Sequence, residues 1–261
     1  MTAPDNTPST APSAARTQRL TARSTPLLIA GALALILVLI AVAWHTTSND
    51  PAATSATTTT TQYTAANVTT IDIDGINGTL TVGARNTPQI TATAEPANGH
   101  PAATLTFHRG AATNILDLIC TSPNSTTPTC PTSTYTVLVP AHMGVTLHEV
   151  SGQATLTNLS GPLSITASSA NTTVQGLSTT DFTATIISGT LSATFTTPPT
   201  HVSISVTSAQ ASLLFPSNAT YDVQKQAVSA DIQVAIPQSP TSPHTVHASA
   251  TSGTINLATD N

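Results

Sequence analysis

The chain has 261 residues, of which 7% are charged and 3% aromatic, and carries a formal charge of −5. About a fifth of the residues are threonine, and so high a β-branched content suits strands and argues against a chain disordered throughout. The six basic residues make no basic stripe of the kind that neutralises phosphates, which excludes a nucleic-acid partner.

Residues 1–25 are rich in Ala, Pro, Ser and Thr without an apolar period, so a disordered tail is expected. "PLLIAGALALILVLIAVAW" follows, an uncharged run of 19 over residues 26–44. At 1.5 Å per residue it is long enough for the roughly 30 Å hydrocarbon core of a bilayer. Arg16, Arg19 and Arg23 all precede it, and the positive-inside rule then predicts a single-pass plasma-membrane helix with a cytoplasmic N-terminus and residues 45–261 outside the cell. Ala41-Val42-Ala43 also fits a signal-peptidase site, although the apolar run exceeds the usual 7–15 residues of a signal peptide. Past residue 44, ten acids face only three bases, Arg85, Arg109 and Lys225. Residues 45–66, with "PAATSATTTTTQ", read as a solvated Ser/Thr-rich linker, plain or carrying O-linked sugars.

From residue 67 onward a frame repeats. With Phe182 as position zero, Ala184 falls at +2, Ile187 at +5, Ser188-Gly189 at +6/+7, Leu191 at +9 and Ala193 at +11. The same frame fits from Val145, Leu163, Val202, Val223 and Val246, and from Ile71 near the start. Apolar residues at 0 and +2, and again at +9 and +11, make two short strands with one buried face each, Ile187 and Leu191 being expected inside. The small pair between them lets the backbone turn. One such unit buries too little to offset the entropy of ordering about twenty residues, so units must stack. The fold expected for residues 67–261 is all-β, a parallel β-helix or β-solenoid with ~20-residue rungs. A β-sandwich, whose strands also recur every 8–12 residues, is the alternative.

Cys120 and Cys130 are the only cysteines, in "CTSPNSTTPTC". In an oxidising compartment they read as a disulfide closing a small loop, which the loop-entropy view values at roughly 2–3 kcal/mol. No further cysteine or histidine stands nearby at metal-ligand spacing, so no metal site is expected.

The frame from "IDIDGINGTLTV" through "YTVLVPAHMGVTLHEVSGQATLTNLSG" to "ATSGTINLA" resembles a bacterial β-strand-repeat, adhesin-like family, a domain of unknown function. The likeness covers roughly residues 67–261. It implies a right-handed β-helix-like fold at the cell surface and transfers no catalytic residues; this chain departs from the family in having few Asp or Asn in its turns.

The acids are the residues that could carry chemistry. Asp72 and Asp74 fall at +1 and +3, on the solvent face, and read as solvated acids rather than a weak Ca²⁺ site, which wants six or more oxygens. Asp181, His201 and Asp222 each fall at −1, and so form a possible acid–base column on successive rungs. Polar ladders are ordinary on stacked repeats. "GVTLHEV" lacks the second histidine of a zinc hydrolase, and no P-loop or nucleophile elbow occurs. The expectation is a non-enzyme without cofactor: a membrane-anchored, adhesin-like binding module or envelope scaffold for an unknown protein or glycan. A membrane-tethered sensor or accessory subunit is the alternative, and a glycan-active β-helix enzyme a more distant one.

Overall fold

The structure is a computed structural model, and it describes residues 57–97, 102–109, 114–122 and 130–260. The chain divides into two units, Met1–Ala52 and Ala53–Asn261. The disordered tail expected over 1–25, the membrane helix expected over 26–44 and the first part of the expected linker lie outside the described residues. Every regular element among the described residues is a strand, and the fourteen strands join in one sheet.

The strands of the first part are β1 (Thr59–Thr64), β2 (Thr70–Arg85), β3 (Gln89–Pro96), β4 (Thr104–Arg109), β5 (Ile115–Thr121) and β6 (Ser133–Pro140). Four long strands follow, β7 (Gly144–Thr157), β8 (Leu163–Leu177), β9 (Asp181–Phe195) and β10 (His201–Phe215). The last four are short: β11 (Asp222–Ala227), β12 (Asp231–Ala235), β13 (Thr245–Ala250) and β14 (Thr254–Thr259).

From β2 through β10 each long strand runs parallel to the next. Ile71 lies opposite Val145, Val145 opposite Leu163, Leu163 opposite Phe182 and Phe182 opposite Val202, so like frame positions stand in columns. This register follows from the repeat, because a one-residue slip would turn every buried side chain outward.

Within each long strand the alternation breaks at a bend, and in β8 it breaks a second time between Val174 and Leu177. In β9, Phe182, Ala184 and Ile186 point inward, and so do Leu191, Ala193 and Phe195. Ile186 and Leu191 are five residues apart, an odd step that would put them on opposite faces of a straight strand. The chain bends instead at Ile187–Thr190, and both flanks face the same interior. Gly189 makes the bend with φ +110°, and a Cβ there would lie 2.0 Å from the carbonyl oxygen of Ala170. Gly152 holds the matching place in β7 with φ +127°.

This corrects the frame at +5. Ile187 is 47% exposed, and Val150 and Val228 at the same position are each 58% exposed. In β7 and β9 the inward residue is the one before, at +4, because strict alternation from 0 and +2 continues until the bend, whereas in β2 the register shifts at Gly75 and Ile76, at +5, is buried as expected.

The interior is apolar and, toward the C-terminal end, aromatic. Phe182 meets Phe195 edge-on with ring centres 5.4 Å apart, Phe195 stacks on Phe215 at 5.0 Å, and Phe215 packs on Tyr221 at 5.1 Å. Each such ring pair adds roughly 0.5–1.5 kcal/mol to what burial contributes.

Two further departures concern the ends. The expectation of parallel rungs throughout residues 67–261 fails in the first part, where β1 pairs antiparallel with β3, β3 with β6, and β4 with β5. The linker expected to reach residue 66 is already strand from Thr59, since β1 completes the edge beside β3. At the other end the strands do not stack in chain order. β13 and β14 lie directly against β10, and β11 and β12 lie outside them.

Candidate functional site

Side chains that alternate away from the interior meet their counterparts on neighbouring strands. On the second flank the registers run Thr60, Thr93, Thr136, Thr81, Thr155, Thr173, Ser192, Ser212, Asn256, Gln233, one residue from each of ten consecutive strands. The first eight are hydroxyls and none of the ten is charged. At 4.7–4.9 Å per strand the row spans about 43 Å. Neighbours bond along the sheet: Thr60 and Thr93 are 3.2 Å apart at their hydroxyls, and in the adjoining column Thr190 donates to Asn171 Oδ1 at 2.8 Å. Between β9, β10 and β14 this face dips into a shallow groove of about 410 Å³ edged by Thr190, Ser192, Gln210 and Asn256.

The first flank carries the charge. β5 sets Asp117 opposite Asp72, β4 sets His108 opposite Asp117, and β7 sets His148 opposite Asp74. His148 Nε2 is 4.0 Å from Asp72 Oδ1, and His108 Nδ1 is 3.9 Å from Asp117 Oδ2. Burial pushes the Asp72 carboxyl above its usual range; His148 opposes the shift, and Asp117 and Asp74 add to it. Asp72 is thus half-buried rather than freely solvated. A cleft of about 450 Å³ opens here, lined by the three aspartates and by Cys120 and Cys130. Among the described residues no group of three histidine, cysteine or carboxylate side chains is disposed to hold a metal ion.

Cys120 and Cys130 form the disulfide read from their spacing, with Cα atoms 5.3 Å apart. Its place explains its use. β5 pairs with Thr70–Ile73 of β2 and β6 with Gly78–Arg85 of the same strand, so the bridge ties together two strands that lie end to end along one edge.

Asp181, His201 and Asp222 are not successive. Asp181 lies opposite His201, but the next residue in the column is Thr245 of β13, and only then comes Asp222. His201 Nδ1 and Thr245 Oγ1 are 2.9 Å apart, and the Asp181 carboxylate accepts from the Thr180 hydroxyl at 2.7 Å. Asp222 stands three strands from Asp181, about 14 Å away, which breaks the expected acid–base column.

One acid matters more than the sequence suggested. Glu149, at +4, points into the interior and is 2% exposed. Thr172 donates to its Oε2 at 3.4 Å, while Oε1 is buried without a hydrogen-bond partner. Burial raises its pKa from 4.5 to about 7, the Thr172 hydroxyl opposing the rise. The signal was present in the frame, since alternation from Val145 and Leu147 leads straight to Glu149.

No family model matches the chain, and no curated protein matches it. Among solved structures, a "putative cell adhesion protein" from Clostridium sporogenes is similar at 8% identity and TM-score 0.41, over 78% of this chain and 100% of that one. A "putative adhesin" from Parabacteroides merdae is similar at 14% identity and TM-score 0.37, over 78% and 97%. Another from Bacteroides fragilis is similar at 12% identity and TM-score 0.35, over 78% and 98%.

Proposed function

We propose that the chain is a membrane-anchored, non-catalytic, adhesin-like binding scaffold. Residues 26–44 hold it in the plasma membrane, residues 1–25 lie in the cytoplasm, and residues 45–261 stand outside the cell. In this reading the stacked strands are a right-handed parallel β-solenoid, and the second flank is the surface that meets a protein or glycan.

The observation that carries the proposal is the neutral row from Thr60 to Gln233. Hydroxyl and amide side chains both donate and accept, which suits the hydroxyls of a sugar or the peptide groups of a protein. Each hydrogen bond exchanged with water contributes only about 0.5–1.5 kcal/mol, so useful affinity comes from many contacts over area. None of the ten residues of the row is an acid, a base or a histidine that could activate one of its hydroxyls or clamp a reacting group.

The test uses the full chain displayed on cells and an array of neutral glycans and surface proteins. Added protease should remove residues 45–261 from intact cells. Binding to the array should be lost in the double variant Thr155→Lys/Ser192→Lys, which charges the row while leaving the interior untouched. Undiminished binding by that folded variant would sink the row as the binding surface, and protection from protease would sink the topology.

A further inference from the structure

At the C-terminal end the strand order reverses the chain order. β10 presents Val202, Ile204 and Val206 to the interior of its first flank. Either of the two later strands could continue these columns. β13 would offer Val246, Ala248 and Ala250, and β11 would offer Val223, Lys225 and Ala227, in the same register. On the second flank the choice is equally open, since Ile255 and Leu257 of β14 align with Ile232 and Val234 of β12. The exception is Lys225, the only lysine in the chain.

Lys225 lies opposite Ala248, itself 3% exposed and opposite Ile204. Its column therefore points inward. On the outermost strand the side chain still reaches water, and Lys225 is exposed. In chain order β11 would sit between β10 and β13, and the ammonium would be enclosed between Ile204 and Ala248. The inward residues of the flanking strands are all apolar: Phe182, Ala184 and Ile186 on β9, Val202, Ile204 and Val206 on β10, and Val246, Ala248 and Ala250 on β13. A buried ammonium with no carboxylate in reach is strongly disfavoured.

We propose that the slot between β10 and the β11–β12 pair is a strand-acceptor site, and that Lys225 reserves it for residues 245–259 of the chain. The occupant is held from both sides: Thr245 N–H donates to Thr200 O at 2.8 Å, and Asp222 N–H donates to His244 O at 2.8 Å. Residues 236–244, which carry Pro237, Pro240 and Pro243, lead the chain back from the outer strand to the slot. Among the described strands β11 and β12 pair only with β13 and β14, so they take their outer place only as the occupant settles against β10. The same inward lysine also blunts the outer edge against a further strand.

The test reads strand order by disulfide trapping in the full-length chain. Ser203 lies opposite His247 on the adjacent strand, a spacing of about 4.8 Å that a disulfide can bridge, whereas Gln224 is two strands away at about 9.6 Å, which it cannot. Under mild oxidation the Ser203→Cys/His247→Cys chain should bond and the Ser203→Cys/Gln224→Cys chain should not, as read by peptide mass. Exchanging the charge, Lys225→Val with Ala248→Lys, should reverse the pattern. Lys225→Val alone, a change at an exposed residue, should let the 203–224 bond appear beside the other. Persistence of the 203–247 bond with no 203–224 bond in either background would overturn the proposal.

Discussion

The two halves of the sheet solve the same packing problem differently. From Gly144 to Phe215 one unit is repeated, and each long strand repeats the inward positions of its neighbour. Between Thr59 and Pro140 only β2 repeats that unit among the described strands; those around it are shorter, and β1 with β3, β3 with β6 and β4 with β5 pair antiparallel. The first arrangement is held by columns, in which any apolar residue of suitable size serves. The second relies on particular partners: the Cys120–Cys130 bridge, the edge-on contact of Tyr63 with Phe107 at 5.9 Å, and the buried Tyr135, whose hydroxyl donates to Pro131 O. Their ends differ too. β1 and β4 lean on each other through Tyr63 and Phe107, whereas β11 ends the stack with an inward lysine. A repeated half tolerates apolar exchanges within a column; an irregular half depends on named contacts.

The sharpest way to break the repeated half is to charge a column. Leu191→Asp would place a carboxylate among Thr172, Ala211 and the interior of the opposite flank, and should cost about 4 kcal/mol or more. Thr190→Asp, one residue away and pointing outward, should stay within about 0.5 kcal/mol. Urea denaturation of both variants measures the pair, and similar losses would mean that the two residues do not lie on opposite faces.

A smaller effect sits at the seam between the halves, where Glu149 is paired between Ile76 of β2 and Ala167 of β8. Its pKa is about 7 folded against 4.5 ordinarily. The folded chain therefore holds this proton more tightly than the unfolded chain does. The contribution is complete below pH 4.5, declines as pH rises between 4.5 and about 7, and is gone above, a change of about 3 kcal/mol. Glu149→Gln never ionises, so it should match the parent near pH 4 and exceed it by about that amount at pH 8. Parallel stability curves for the two chains would show that the acid is not buried as described.

The gentlest change is the most diagnostic. Deleting 163–181 removes all of β8, its connection and Asp181 at the start of β9, and leaves Val145 free to pair with Phe182, since both already align with Leu163. The shortened chain should keep a β spectrum and a cooperative melt at a somewhat lower temperature. A chain that no longer melts cooperatively would show that the columns are not interchangeable.

Much of this was legible in the sequence where repetition supplied the ruler. Seven copies of one frame, each with its small turn pair, mark β2 and β7 to β14 and the register of their columns. The turn pair stands where the frame puts it, but the inward residue before it is Ile186 and not Ile187; both are apolar, so composition alone does not say which of them faces in. The direction of β1, β3 and β4 was not legible, because alternation reports a face and not a polarity. Strands such as "TTTQYT" hide further, since threonine serves on either face. The reversed order at the C-terminal end required knowing that Lys225 stands in an inward column, and that follows only once the frame from Val223 is counted in steps of two.

The neutral row has a statistical consequence. Its eight successive hydroxyls, from Thr60 to Ser212, contain seven neighbouring pairs of nearly equal spacing. A small ligand that bridges one pair can bridge any of the others, and seven equivalent placements are worth RT ln 7, about 1 kcal/mol, without a new contact. Such a ligand would also move along the row by exchanging one hydroxyl at a time, staying attached while it shifts. A longer chain of the same units would have fewer placements but more simultaneous bonds, and so would trade mobility for residence time.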